Sequence, residues 1–355
     1  MAHRHVVVVG ASAGGVEALG RLAASLPEDL QAAVLVVLHI PSEGTSLLPS
    51  ILSRQGPLPA AHARAGERVE HGRIYVAPPN RHLLLRDGLM TLSAGPRENG
   101  HRPAVDALFR SAARSAGPAA IGVVLSGALD DGIAGLAAIK TRGGITVAQE
   151  PEYALYPAMP TSAIEQVGVD HVVSAAAMGE LLSALTKEPL DGAPPPVPDA
   201  MQVEVEMAEM TFEGNERRHP GRPSGFTCPD CNGVLWEPDE REIFRFRCRV
   251  GHEWSPEGLL AQQNDGIEAA LWIALRSLEE RGSLSRRMAE SAEDRNHQIT
   301  ASRFHEQAEE AERGAALVRA LLADPSKLTG GSTLLGTATR PAGADDEVKG
   351  GGAGG

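Results

Sequence analysis

The sequence predicts an α/β fold in which a doubly wound, mostly parallel sheet carries helices on both faces, followed by a small cysteine-containing module and a C-terminal helical segment. Up to about residue 187, apolar β-branched runs alternate with amphipathic stretches, which is the pattern of repeated βαβ units. The apolar runs are continuous rather than alternating, as expected for strands buried on both faces. After residue 187 the composition becomes proline-rich and acidic, which predicts the end of this domain.

The strands and helices of the α/β domain follow from these runs in chain order. Strands are predicted at HVVVVG (5–10), AAVLVVLHI (32–40), RIYVAP (73–78), AIGVVLSG (120–127), GITVAQ (144–149) and HVVS (171–174). Helices are predicted at Val16–Ser25, at Val105–Ala116 and at GIAGLAAIKTRG (132–143), where Gly143 and Gly144 supply a stop.

The chain divides into five segments. We expect the α/β domain at 1–190, a proline-rich acidic linker at 191–224, a compact cysteine module at 225–256, a helical hairpin at 257–325 and a disordered glycine-rich tail at 326–355. The hairpin is predicted from apolar residues that share one helical face, namely Ile267, Leu271, Ala274, Leu275 and Leu278. A flexible linker predicts that the α/β domain works independently of the segments after it.

Composition excludes several classes of protein. The formal net charge of -13 argues against a nucleic-acid-binding protein or a binder of anionic membranes. No apolar run reaches the roughly 18 residues that span a bilayer, and the first residues lead into a strand rather than a signal sequence. We therefore expect a cytoplasmic protein without membrane insertion. Its three cysteines, Cys228, Cys231 and Cys248, are too clustered for a disulfide framework and suggest a metal.

The first strand runs into Gly10-Ala11-Ser12-Ala13-Gly14, a loop that raises the question of a phosphate site. A dinucleotide fingerprint needs glycine at the position of Ser12, and a P-loop needs Gly-Lys-Ser/Thr, so neither fits. Gly-x-Ser-x-Gly between a strand and a helix instead fits a serine nucleophile on a sharp turn. The alternative is a serine that only caps the following helix.

A serine nucleophile needs a base and an acid that orients it. His39 ends the second predicted strand, and Asp131 lies just beyond the strand at 120–127. Each has a plain structural alternative, a buried histidine with satisfied hydrogen bonds for His39 and a turn or helix cap for Asp131. Parallel strands place their carboxyl ends at one edge of the sheet, so the three side chains are expected to lie together there. The order Ser, His, Asp differs from that of the α/β-hydrolases.

Six stretches in consistent order resemble the catalytic domain of CheB, the chemotaxis protein-glutamate methylesterase, over roughly residues 4 to 187. They are VVVVGASAGGVEAL, LVVLHIPSE, GRIYVAPPNRHLLL, NGHRPAVDALFRSAA, IGVVLSGALDDGIAGLAAIKTRGGITVAQEP and AMPTSAI. The resemblance implies a catalytic triad of Ser12, His39 and Asp131. It selects Asp131 over Asp130, because the aspartate of the family directly precedes a glycine, here Gly132.

The resemblance also implies a reaction and its partners. The enzyme would hydrolyse γ-glutamyl methyl esters on a methylated chemoreceptor-like protein, and the same triad would permit deamidation of glutamine. Backbone N–H groups of His39 and Ala128 would form the oxyanion hole. A receiver domain would normally precede the catalytic strand; it is expected to be absent here, so a separate response regulator or kinase is the partner to consider. The rival hypothesis is a non-catalytic signalling adaptor that binds receptors and recruits partners through the C-terminal modules.

Two positions depart from the pattern of the family. The threonine that usually follows the nucleophile is Ala13, and the methionine after the SG strand end is replaced in Ala128-Leu129. A backbone donor at Ala128 survives this change, so the departures bear on substrate fit and on rate.

The cysteine module reads CxxC followed by CxxxH. Its candidate ligands for a tetrahedral Zn²⁺ are Cys228, Cys231, Cys248 and His252. GVLWE and IFRFRC can pair as a hairpin between the two halves, as in a zinc ribbon. Four protein ligands leave no open position, which predicts a structural metal and none for catalysis. The alternative is three reduced cysteines in a small core.

Overall fold

The computed structural model describes residues 3–190, 192–211, 221–238 and 243–324. The predicted disordered tail at 326–355 lies outside the described residues, as does part of the predicted linker. The chain forms two compact units, Met1–Gln263 and Asn264–Gly355.

Strands and helices alternate along much of the α/β domain, as βαβ units require. The strands are β1 (Val6–Ala11), β2 (Ala33–Leu38), β3 (Ala60–His62), β4 (Arg73–Val76), β5 (His82–Arg86), β6 (Leu89–Ser93), β7 (Ala120–Val124), β8 (Ile145–Gln149), β9 (His171–Val173), β10 (Arg222–Thr227), β11 (Val234–Glu237), β12 (Phe246–Cys248) and β13 (Glu253–Trp254). The α-helices are α1 (Gly15–Ser25), α2 (Leu48–Gln55), α3 (Val105–Ala116), α4 (Ile133–Thr141), α5 (Ala158–Ser162), α6 (Met178–Leu185), α7 (Asp199–Glu209), α8 (Pro256–Asp294) and α9 (Gln298–Leu322).

The predicted α/β fold is confirmed. Seven parallel strands form the main sheet in the order β3-β4-β2-β1-β7-β8-β9. Both faces of the sheet are buried, which explains the continuous apolar runs in the sequence. One face packs against helices that include α3 and α4, through residues such as Phe109 and Leu136. The other packs against α1, α2 and α6, through residues such as Leu22, Leu52 and Leu182.

Three strands of the α/β domain were not predicted. β3 has three residues, too few for a periodic signal, and β5 and β6 form a separate two-stranded antiparallel hairpin beside the main sheet. The hairpin contains Leu83, Leu84 and Leu85 in a continuous buried run, which periodicity alone does not separate from a helix.

The predicted linker at 191–224 contains a packed helix, so the linker prediction is wrong for this part. Helix α7 buries Met201, Val205 and Ala208, and it packs against α3. Its acidic residues suggest a solvated segment, but Glu204 is buried with arginine partners. The connection between the α/β domain and the cysteine module is therefore partly built into the fold.

The cysteine module contains a four-stranded antiparallel sheet in the order β10-β11-β12-β13. The pairing of β11 with β12 corresponds to the hairpin expected between GVLWE and IFRFRC. A further bridge joins Glu253 in β13 to Glu98, in the segment between β6 and α3. The module and the main sheet thus lie in one compact unit.

In the second unit, the described part consists of the C-terminal portion of α8 and the whole of α9. The two helices pack through small residues, including Ala289, Ala308 and Ala311. The guanidinium of Arg319 donates to the carboxylate of Glu279 across the pair. Among the described residues, none of the helices is both long enough and apolar enough to cross a membrane.

Candidate active site and cysteine cluster

The loop after β1 presents Ser12 on a sharp turn. Gly14 has φ 69°, and a Cβ there would lie 2.8 Å from both Leu155 Cβ and Ser126 Oγ, so the position requires glycine. Gly10 is also constrained, because a Cβ there would lie 2.2 Å from a methyl of Val105. The N-cap of α1 is Gly14 rather than Ser12, so the helix-cap alternative for Ser12 is wrong.

Three side chains that the sequence predicted as catalytic form one hydrogen-bonded chain. Nδ1 of His39 lies 3.0 Å from the hydroxyl oxygen of Ser12. Nε2 of His39 lies 2.7 Å from Oδ2 of Asp131. Asp130 is not part of this hydrogen-bonded chain. The imidazole therefore connects a hydroxyl to a buried carboxylate, with Nδ1 rather than Nε2 facing the serine.

The surroundings of Asp131 fix its charge. The carboxylate accepts hydrogen bonds from the backbone N–H of Val105 at 2.7 Å and of Asp106 at 3.4 Å, at the N-terminus of α3. Burial opposes ionisation, but the hydrogen bond and the electrostatic attraction of His39, with the N–H of Val105, hold the pKa of Asp131 well below its ordinary value. An ionised Asp131 accepts a hydrogen bond from Nε2–H, which leaves Nδ1 of His39 as the acceptor for the Ser12 hydroxyl.

The topology of the sheet explains this meeting of distant residues. Ser12 follows β1, His39 follows β2 and Asp131 follows β7, and β1 lies between the other two strands. β2 and β4 are added to the sheet on one side of β1, and β7, β8 and β9 are added on the other side. The carboxyl end of β1 is therefore a topological switch point. Open α/β sheets bind their ligands at such points.

Two residues of the site were missed by the sequence analysis. The ring of His101 stacks on that of His39, with centroids 3.7 Å apart and planes at 13°. Burial and the neighbouring His39 lower the pKa of His101 to about 4, so its ring is neutral near pH 7. Asn99 donates from Nδ2 to Oδ1 of Asp131 at 3.3 Å. Both residues lie in the NGHRP stretch, where no strand or helix pattern indicated that they would reach the sheet edge.

The predicted oxyanion hole needs a correction. The backbone N–H of His39 donates to the carbonyl of Ala11 at 3.1 Å, which continues the β1–β2 ladder, so it is not available as an oxyanion donor. Across the described parts of the chain, the backbone N–H groups of Ala13 and Ala128 have no hydrogen-bond acceptor. Ala13 directly follows Ser12, and this is the position of one oxyanion donor in the α/β-hydrolases.

A second carboxyl group near the triad predicts a pH effect on stability. Burial and the adjacent Glu257 raise the pKa of Asp130 from 3.8 to about 7, although a hydrogen bond from Ser255 opposes the shift. Because the folded-state pKa is the higher one, this group stabilises the fold fully below about pH 4, and its contribution is lost as the pH rises towards 7.

We expect Asp130→Asn to remove this dependence, since an amide cannot ionise. Between pH 4 and 7, the slope of the unfolding free energy against pH should become more positive by up to about 1.4 kcal/mol per pH unit. Urea titrations across this range would measure it, with the exposed Asp29→Asn as the control for loss of one carboxylate. Identical slopes for the two variants would contradict the prediction.

The four predicted metal ligands lie together in the cysteine module. The sulfur atoms and one nitrogen of Cys228, Cys231, Cys248 and His252 all lie within 4.8 Å of one another. Nδ1 of His252 is 3.7 Å from the sulfur of Cys228 and 3.5 Å from that of Cys248. The sulfurs of Cys231 and Cys248 are 3.6 Å apart. Cys228 and Cys248 are buried, whereas Cys231 is exposed.

Comparison with known proteins agrees with the fold. The CheB methylesterase family model matches residues 7–182. The protein-glutamate methylesterase/protein-glutamine glutaminase 1 of Geobacter metallireducens is 41% identical over 180 residues, which are 50% of this chain and 48% of the relative. A relative from Leptospira interrogans is 37% identical over 186 residues, which are 52% of this chain and 96% of the relative.

The same half of the chain resembles a solved structure. The crystal structure of the Thermotoga maritima CheB methylesterase catalytic domain has a TM-score of 0.50 and 32% sequence identity, and the match covers 52% of this chain and 100% of that domain. The chain spans about half the length of several curated relatives it matches, such as the Geobacter protein. The match to the Leptospira relative covers nearly the whole length of that protein. On this similarity the chain belongs to the CheB methylesterase family.

Proposed function

We propose that this protein is a protein-glutamate methylesterase that hydrolyses γ-glutamyl methyl esters on a chemoreceptor-like signalling protein. The observation that carries the proposal is the hydrogen-bonded chain from Ser12 through His39 to Asp131 at the switch point of the sheet. A non-catalytic adaptor has no need for this arrangement, because binding alone does not require a serine aligned with a base and an ionised acid.

In the first half of the reaction, Ser12 Oγ attacks the ester carbonyl carbon while Nδ1 of His39 takes the hydroxyl proton. The negative charge then on the carbonyl oxygen is stabilised by the N–H groups of Ala13 and Ala128. Asp131 stabilises the imidazolium through Nε2–H and does not itself take the proton. Collapse of the tetrahedral intermediate breaks the bond to the methoxy group, which leaves as methanol with the proton from Nδ1.

In the second half, the same groups act on water. Nδ1 of His39 removes a proton from a water molecule, which attacks the acyl carbon attached to Ser12. The second tetrahedral intermediate releases Ser12 Oγ, which recovers its proton from the imidazolium. The products are a glutamate side chain and free enzyme, so one water is consumed and one methanol is released per turnover.

The same site supports deamidation of glutamine as a second activity. The Geobacter relative carries both methylesterase and glutaminase in its name. A primary amide and a methyl ester present the same carbonyl carbon to Ser12, and protonation by His39 would release ammonia instead of methanol. The product is again a glutamate side chain.

Turnover and labelling together test the proposal. Wild-type protein is incubated with a receptor whose glutamates carry isotopically labelled methyl esters, and labelled methanol is counted against new carboxylates. A fluorophosphonate should form an adduct that peptide mapping places on Ser12. An adduct elsewhere, or receptor binding without methanol release, would favour the adaptor hypothesis.

We also propose that the cysteine module holds a structural Zn²⁺. Zn–S bonds of about 2.3 Å and Zn–N bonds of about 2.0 Å give tetrahedron edges of about 3.8 Å between sulfurs and about 3.5 Å between sulfur and nitrogen. Three separations fit these edges: Nδ1 of His252 lies 3.7 Å from the sulfur of Cys228 and 3.5 Å from that of Cys248, and the sulfurs of Cys231 and Cys248 are 3.6 Å apart. All four ligand atoms lie within 4.8 Å of one another. Such a metal would stabilise the module and take no part in the ester chemistry.

A further inference from the structure

We propose that the cysteine module is a positioning element of the active site, which holds the segment 97–101 against the triad through Glu253 and Ser255. Asn99 is the residue through which this support reaches Asp131. The module is then a docked part of the hydrolase rather than a domain on a flexible tether. The activity readouts of the test rest on the proposed hydrolase function.

The first link is made by the backbone. The N–H of Asn99 donates to the carbonyl of Glu253 at 2.8 Å, and the N–H of Glu253 donates to the carbonyl of Arg97 at 3.3 Å. The segment 97–99 thereby extends the sheet of the module by a short parallel bridge. Pairing with β13 thus holds the segment 97–99, which is not part of a strand of the α/β domain.

The second link is made by side chains on both sides of the catalytic acid. The N–H of Ser255 donates to Oδ1 of Asn99 at 2.7 Å, and Nδ2 of Asn99 donates to Oδ1 of Asp131. The hydroxyl of Ser255 donates to Oδ1 of Asp130 at 2.6 Å. Ser255 therefore contacts both Asp130, which precedes Asp131 in the chain, and Asn99, which is hydrogen-bonded to Asp131.

Asn99 itself is held in an uncommon backbone conformation, with φ 50°. Asparagine tolerates this region better than most residues, but it needs surrounding contacts to stay there. The segment also carries His101, whose ring lies against His39. Movement of the segment would therefore disturb the acid and the base of the triad together.

A buried ionic network fastens the module in this position. Arg110 on α3 pairs with Glu98 and Glu253, and Arg247 of the module also pairs with Glu253. The side chains of these four residues are 1–2% exposed. Breaking a buried pair leaves a charge without its partner, which is strongly destabilising. The docked arrangement is thus the one in which these charges are compensated.

Glu204 of α7 joins the same network. It pairs with Arg110, Arg245 and Arg247, so α7, the module and α3 meet at one cluster of charges. Burial would raise the pKa of Glu204, but the three arginines lower it to about 2. The carboxylate is therefore ionised at neutral pH and keeps its attraction to both sides of the junction.

The test compares Ser255→Ala with Ser255→Thr in the full chain. Loss of the hydroxyl removes the hydrogen bond to Asp130, the chain neighbour of Asp131, and leaves the backbone N–H bond to Asn99 in place. It should lower kcat on a small methyl ester about fivefold to tenfold with KM unchanged, because Asp131 is less well aligned while the entrance is unaltered. The rate of fluorophosphonate labelling at Ser12 should fall by the same factor, and the low-field proton resonance of His39 Nε2–H should weaken. Ser255→Thr keeps the hydroxyl and should restore all three.

A control is needed because Ser255 Oγ also accepts from the N–H of Gly258 and so caps α8. If Ser255→Ala lowers only the melting temperature and leaves the labelling rate and the proton resonance at wild-type values, the residue is merely a helix cap and the inference fails. An increase in labelling would equally overturn it, since the module would then restrain the triad.

A second pair of variants tests the route through Asn99. Asn99→Gly keeps the positive φ and removes both side-chain hydrogen bonds, so labelling should slow at least about tenfold. Asn296→Gly is the matched control, with φ 59° in the turn between α8 and α9. Equal labelling by both variants would refute the inference. A wild-type protein that is not labelled at Ser12 at all would instead refute the proposed function, and the proton resonance would still report on alignment.

Discussion

Replacement of Ser12 by alanine is expected to lower methanol release at least about ten-thousandfold. In the proposed mechanism the hydroxyl of Ser12 is the nucleophile that forms the acyl intermediate, so its removal leaves His39 without a group to activate. What activity remains would come from substrate binding and from the backbone donors Ala13 and Ala128. Methanol release from methylated receptor, in single turnover and in steady state, measures the loss.

The variant should stay folded and should still bind receptor. Within the described residues, the Ser12 hydroxyl has His39 as its one hydrogen-bond partner, and the turn depends on Gly14 rather than on the serine side chain. Far-UV circular dichroism and receptor pull-down would verify this, and Ser277→Ala on the exposed surface of α8 is the matched control. Activity near the wild-type level in Ser12→Ala would eliminate the triad mechanism.

The proposed triad could be placed from sequence because each member follows a strand with a strong apolar signal, and the family resemblance selected Asp131 over Asp130. Once β1, β2 and β7 are assigned to one parallel sheet, their carboxyl ends must lie at the same edge. Asn99 and His101 could not be placed in this way. They reach the edge on an irregular segment whose path depends on β13, a strand of two residues that lies far later in the chain.

The other departures have similar physical causes. The acidic residues of α7 suggested a solvated linker. The arginines that pair with Glu204 come from distant segments, so the sequence around α7 did not reveal that this residue is buried. The His39 N–H was expected at the oxyanion hole, but His39 lies inside the strand predicted at 32–40, and its N–H continues the ladder with β1 by donating to the carbonyl of Ala11. Both errors concern long-range partners, to which local patterns are blind.

Removal of the metal is expected to have the second large effect on esterase activity. This prediction is the opposite of the one that the linker pattern in the sequence suggests. If the linker were a free tether, esterase activity on a small ester would survive chelation. The docked module instead predicts a loss of at least about tenfold, because an unfolded module cannot pair with the segment that holds Asn99. Binding of such structural zinc is worth on the order of 10 kcal/mol near neutral pH, which a sheet of this size needs in order to fold.

His252→Ala and Cys231→Ser should each lose the stoichiometric zinc that elemental analysis detects in wild-type protein. Limited proteolysis should then cut within the module, and the labelling of Ser12 should slow in parallel. His305→Ala, which changes an exposed histidine of α9, should alter none of these measurements. Zinc returned to a chelated wild-type sample should restore protease resistance and labelling together.

The possible outcomes separate the metal from the coupling. A metal-free preparation whose module resists protease would show that the cysteine cluster folds without zinc, and the metal proposal would fail. A module that is cut after chelation while Ser12 labels at the wild-type rate would show that the α/β domain aligns its own triad. Loss of both in the same range of chelator concentration is the result we expect, since Asn99 accepts from the module with one side-chain atom and donates to the catalytic acid with another.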